Sequence, residues 1–144
     1  MAEELAKLGE ELEDLWTSMR LFERKLLVVQ DMMLEAEAES QRCERDIEMC
    51  NEELIADDEM GDLRDDERVD IFNEIRALEV EFAHWCRLYA IRAQEKHDTK
   101  RNLQRLSVAR RELLTRACFA RGRAAVPTLT WLAWVPARRP VWAG

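Results

Sequence analysis

The sequence predicts an all-α fold, a long antiparallel coiled-coil hairpin. Three observations carry that prediction. Fifteen positions from Leu5 to Leu54 follow an unbroken 3-4-3-4 spacing, and fourteen of them are apolar. A second apolar row of the same period starts at Ile71. The two halves of the chain also carry opposite charge. Residues 1–72 hold 24 acids and 8 bases, whereas residues 73–144 hold 6 acids and 14 bases. A 3.5-residue period keeps one stripe turned toward a partner helix, and halves of opposite sign favour antiparallel pairing.

The first element is an acidic heptad helix over residues 1–60. Its seam runs Leu5, Leu8, Leu12, Leu15, Met19, Phe22, Leu26, Val29, Met33, Ala36, Ser40, Cys43, Ile47, Cys50, Leu54, and only Ser40 is not apolar. At 1.5 Å per residue its helical run over 3–56 is about 80 Å long. Glu3 and Glu4 suit its positive N-terminal end. The flanks of the seam carry Glu11, Glu23, Glu37, Glu39, Glu44, Asp46 and Glu53 against Lys25 alone, a pattern that opposes parallel self-pairing.

An acidic turn over 61–67 follows. From Asp57 to Arg68 the apolar row fails, because the seam slots hold Asp57, Gly61, Arg64 and Arg68. Gly61 is the expected residue just past the helix end, and Asp62, Asp65 or Asp66 are candidate caps for the next helix. The alternative is a helix that continues through Gly61, pairing as an antiparallel rod dimer. Ile75, Phe82 and Tyr89 keep the register of Leu5, and a mid-helix glycine costs only about 1 kcal/mol.

The second helix is basic and spans 68–118. Its row runs Ile71, Ile75, Leu78, Phe82, Trp85, Tyr89, weakens at Arg92, Lys96 and Thr99, and resumes at Leu103, Leu106 and Leu113. Gly122 and Pro127 are the expected stops. Residues 119–144 hold no acid, four arginines, three tryptophans and all three prolines. This composition reads as a disordered Trp/Arg/Pro tail.

Apolar residues also recur off the seam. Leu21, Val28 and Met32 on the first helix, with Leu27 and Leu34 nearby, and Phe72, Val80, Leu88 and Ile91 on the second exceed what one facing helix covers. Phe72, Val80, Leu88, Ile91, Leu21, Val28 and Met32 are therefore the candidate partner-binding residues. The partner they fit is a helical protein or a second copy of the chain.

Constellations for chemistry are weak. Glu81-x-x-His84 has di-iron spacing, but Gln94 stands where a second Glu-x-x-His97 pair needs its carboxylate. Aligning Gly61 with the glycine of a calcium loop puts Ala56 and Met60 at ligand positions. Four scattered glycines build no phosphate loop. A two-helix layer offers no pocket of enzyme size. No catalytic, cofactor-binding or metal residues are assigned, no cofactor is expected, and no small-molecule substrate is expected. The basic run from Arg87 to Arg111 is expected to pair with the acidic half, not with nucleic acid. Cys43, Cys50, Cys86 and Cys118 form no short pair and read as buried, reduced thiols acting as small core residues of a cytoplasmic protein. The start is neither a secretory signal nor a transit peptide, and no apolar run approaches the ~18 residues that span a bilayer. The functional expectation is a non-enzymatic scaffold or adaptor, cytoskeletal in setting. The alternative is a peripheral membrane tether working through the Trp/Arg tail.

Overall fold

The computed structural model describes residues 2–124. Helix α1 spans Ala2–Met60 and helix α2 spans Asp65–Ala124. The two helices pack against each other antiparallel, as a hairpin, so the continuous helix through Gly61 is excluded. The chain divides into two compact units. One is Val29–Glu95, which contains the turn. The other is formed by the chain up to Val28 and from Lys96 onward.

In the turn-containing unit, Cys50, Ile71 and Leu78 form a buried cluster with Ile47, Leu54, Leu63 and Ile75 packed on it. The other unit holds two clusters. Leu8 and Leu12 meet Leu113, Ala117 and Ala120, while Met19 and Leu26 meet Leu103. Of the fifteen predicted seam positions on α1, none is exposed. Leu26 and Cys43 are fully enclosed.

On α2 the row is longer and more regular than the apolar pattern alone implied. It runs without a phase break from Ile71 to Ala120. Arg92 and Lys96 occupy seam slots half-buried, and Thr99 is buried outright, at 1% exposure. The expected weak stretch is therefore part of the seam. Long basic side chains lay their stems along an apolar surface and keep the charge outside. Arg92 does so by donating to both carboxylate oxygens of Glu95, at 2.9 and 3.0 Å. Tyr89, expected in the seam, is instead exposed.

The ends also differ from the expected 61–67 turn and 68–118 helix. The turn is shorter, residues 61–64, and α2 begins at Asp65. Its far end passes Phe119 and Gly122 and reaches Ala124, so residues 119–124 are helix and not tail. A glycine without a left-handed φ is tolerated inside a helix at modest cost. Residues 125–144 lie outside the described residues.

Asp57 organises the turn. It takes the last seam slot of α1 and its side chain is 3% exposed. Its carbonyl accepts from Gly61 N–H at 2.6 Å, closing the helix on a glycine whose φ is +67°, a conformation that favours glycine. Its Oδ1 accepts from Leu63 N–H at 2.7 Å, and its Oδ2 pairs with Arg68 Nε at 3.2 Å. The last turn of α1 has no basic residue of its own. Arg68, reaching Asp57 and Asp58, supplies positive charge at the negative end of α1.

The cap of α2 is none of the three expected aspartates. Arg64 precedes the first helical residue, and its carbonyl accepts from Arg68 N–H at 3.0 Å. Glu67 reaches back to Arg64 N–H at 3.4 Å, half of a capping box. Asp65, Asp66 and Glu67 fill the first turn, where negative charge suits the helix dipole.

Candidate partner-binding surface

Seven residues were candidates from the sequence, and the hairpin leaves six of them exposed. In the turn-containing unit, Phe72 is 51% exposed, Val80 70%, Ile91 53% and Met32 39%. In the other unit, Leu21 and Val28 are each more than half exposed. Leu88 is different: it flanks the seam and is half-buried. Val80 and Ile91 fall on the back of α2, away from the row of Ile71, Leu78 and Trp85, and Phe72 flanks that row beside Ile71. Phe72, Val80 and Ile91 were legible because they fall outside the heptad row within a short stretch, whereas Val69, 55% exposed, was not singled out.

A second set was not singled out from the sequence. Met49, Ile55, Val108 and Phe119 are also exposed. The signal for them is positional. Once a seam is assigned, every apolar residue diametrically opposite it is exposed by geometry.

Polar groups near these surfaces are mostly committed within the chain. Arg42 donates to Glu39 at 2.8 Å and to Asp46 at 3.2 Å on its own helix, and reaches across to Glu81 on α2. Its pKa is raised, first by the hydrogen bond to Glu39 and then by Glu81, with burial opposing. Glu81 also accepts from Trp85 Nε1 at 3.5 Å. The carboxylate that had di-iron spacing is thus engaged by an arginine and an indole. His84 stacks edge-on against Trp85, with ring centroids 5.5 Å apart. Burial pushes the Cys43 thiol up, and Glu81 adds to the effect; burial likewise raises Cys50. Cys86 and Cys118, expected as buried core thiols, are instead exposed, because they lie off the α2 seam.

The expected neutralisation of the basic run by the acidic half is incomplete within the chain. Arg101, Arg105 and Arg111 are exposed and have no ion-pair partner among the described residues. Among the same residues there is no cluster of histidine, cysteine and carboxylate groups placed to hold a metal ion. No helix of the described residues is long and apolar enough to cross a membrane. The surface therefore offers helix backs, some apolar and some charged, as its recognisable features. The chain matches no protein-family model, no curated protein and no solved structure.

Proposed function

We propose that the chain is a non-enzymatic coiled-coil scaffold or adaptor that acts through helix–helix association in a larger assembly. The observation that carries this reading is the exposure of Phe72, Val80 and Ile91 along the outer side of α2 after the hairpin has closed. Each large apolar side chain of this kind contributes about 1.5–3 kcal/mol when fully buried. An amphipathic helix laid along that side is the partner whose geometry suits the spacing. Leu88, half-buried at the edge of the seam, borders the same surface. A cytoplasmic setting on the cytoskeleton belongs to this proposal, as the kind of assembly built from such helices.

Photo-crosslinking groups placed at Val80 and Ile91 test the reading in cells. Adducts to a protein are expected from both sites, and an identical group at exposed Glu13 should give few. If Val80 and Ile91 capture no protein, the scaffold reading fails. Co-sedimentation of the full chain with anionic vesicles, abolished by removing residues 125–144, would favour a membrane tether instead.

A further inference from the structure

Two helix backs in this chain are complementary to each other, and neither faces the other helix of its own unit. The first is on α1 in the turn-containing unit. Glu48, Met49, Glu52 and Ile55 fall at i, i+1, i+4 and i+7, and Leu34 and Glu35 continue the face upstream. Leu34, Met49 and Ile55 are about 60% exposed, at 63%, 60% and 59%. Glu35, Glu48 and Glu52 are exposed and have no ion-pair partner among the described residues.

The second is on α2 in the other unit. Arg101, Arg105, Val108, Arg111 and Phe119 fall at i, i+4, i+7, i+10 and i+18, with Glu112 the one acid among them. Val108 is 48% exposed and Phe119 66%. Arg111, Leu114, Thr115, Cys118, Phe119 and Gly122 form one continuous stripe at its end. The charge of the surroundings follows the same division. The turn-containing unit holds 21 acids and 7 bases, and the α2 segment 96–124 holds 9 bases and 2 acids.

From this juxtaposition we infer that the chain self-associates. The acidic back of α1 in one copy docks on the basic back of α2 in a second copy. The inference rests on the helix–helix reading above but names the partner and uses a different face. Unpaired glutamates of one copy meet unpaired arginines of the other. Leu34, Met49 and Ile55 cover Val108 and Phe119. A nucleic acid would use the arginines alone. It would leave the acidic back, with its three exposed apolar residues, unoccupied.

Full-length chain at about 50 μM, measured by sedimentation velocity in low and high salt, tests this. Exposed ion pairs are screened as salt rises, so association is expected near 50 mM salt and should weaken roughly tenfold or more near 500 mM. Two reversed variants sharpen the test. One is Arg101→Glu with Arg105→Glu and Arg111→Glu. The other is Glu35→Arg with Glu48→Arg and Glu52→Arg. All six sites are exposed and both residue types suit helices, so circular dichroism should show unchanged helix content. Each variant alone should sediment as the 17.0 kDa monomer. Their equimolar mixture should associate again, because one now carries two acidic backs and the other two basic ones. A monomeric wild type at low salt, or a mixture that stays monomeric, overturns the inference. Binding of the wild type to a duplex in preference to itself does the same. None of these outcomes bears on crosslinks from Val80 and Ile91, which score the scaffold reading separately.

Discussion

Replacing Asp57 by alanine probes the turn that makes this chain a hairpin. The carboxylate has two jobs, accepting from Leu63 N–H at 2.7 Å and pairing with Arg68 at 3.2 Å, while its side chain is only 3% exposed. Alanine leaves the Leu63 N–H without that acceptor. A hydrogen bond to a charged group contributes about 1.5–3 kcal/mol. The Arg68 contribution is small, about 0–1 kcal/mol, because Arg68 is 39% exposed and keeps Asp58 at 3.2 Å. Relief of the desolvated carboxylate and the better helix propensity of alanine offset part of the loss. The expected net destabilisation is about 2 kcal/mol, which lowers Tm by roughly 6 °C in a chain of this size. Asp57→Asn keeps an oxygen for Leu63 N–H and should cost about 1 kcal/mol. Asp58→Ala, at a site 67% exposed, should cost under about 0.5 kcal/mol. Thermal melts followed at 222 nm, with urea titrations, measure all three. Light scattering on the same samples reports whether a weakened turn opens into a dimer of doubled mass. An Asp57→Ala protein as stable as Asp58→Ala, with no change of mass, would refute the role given to this carboxylate.

Four further outcomes are expected. Leu103→Ala, at a site with no exposure, should destabilise by about 2–5 kcal/mol in urea titration, whereas Val108→Ala on the outer face should stay within about 0.5 kcal/mol. Iodoacetamide should modify exposed Cys86 and Cys118 well before enclosed Cys43 and Cys50, and mass spectrometry should find all four modified only after unfolding. The same two buried thiols give stability a sign with pH. The unfolded chain releases these protons near pH 9 and the folded chain higher, so stability is full below about pH 9 and falls as pH rises through the folded values. Between about pH 8 and 10 the urea midpoint should drop further for the wild type than for Cys43→Ala with Cys50→Ala. Arg64→Ser should complete the capping box with Glu67 and raise stability by about 0.5–1 kcal/mol, read as a higher melting temperature.

Much of the hairpin was legible in the residues because a coiled coil is a local code. Leu5 to Leu54 repeat every 3.5 residues, and any helix with that repeat presents one stripe whatever covers it. The charge halves selected antiparallel pairing, and Gly61 marked the reversal, where its φ of +67° is now seen. Exposure of Phe72, Val80 and Ile91 followed from the same register. Contacts that depend on where the second helix lies were not legible. Asp57, Thr99, Arg92 and Lys96 read as interruptions because composition prices a polar residue by its type. In the folded chain Asp57 is satisfied by Leu63 N–H and Arg68, and Arg92 by Glu95, so each fills a seam slot without an unpaired charge. Tyr89 and Leu88 exchanged their expected environments for a related reason. Period alone assigns a face but not how closely a particular partner side chain approaches. Sequence by itself determined the helices, their pairing direction and the outward apolar residues, since these are set by spacing and charge along one chain. Tertiary structure alone decided the turn's hydrogen bonds, the cap at Arg64 and which arginines and glutamates stay unpaired. Those depend on distances of a few ångströms between residues far apart in sequence.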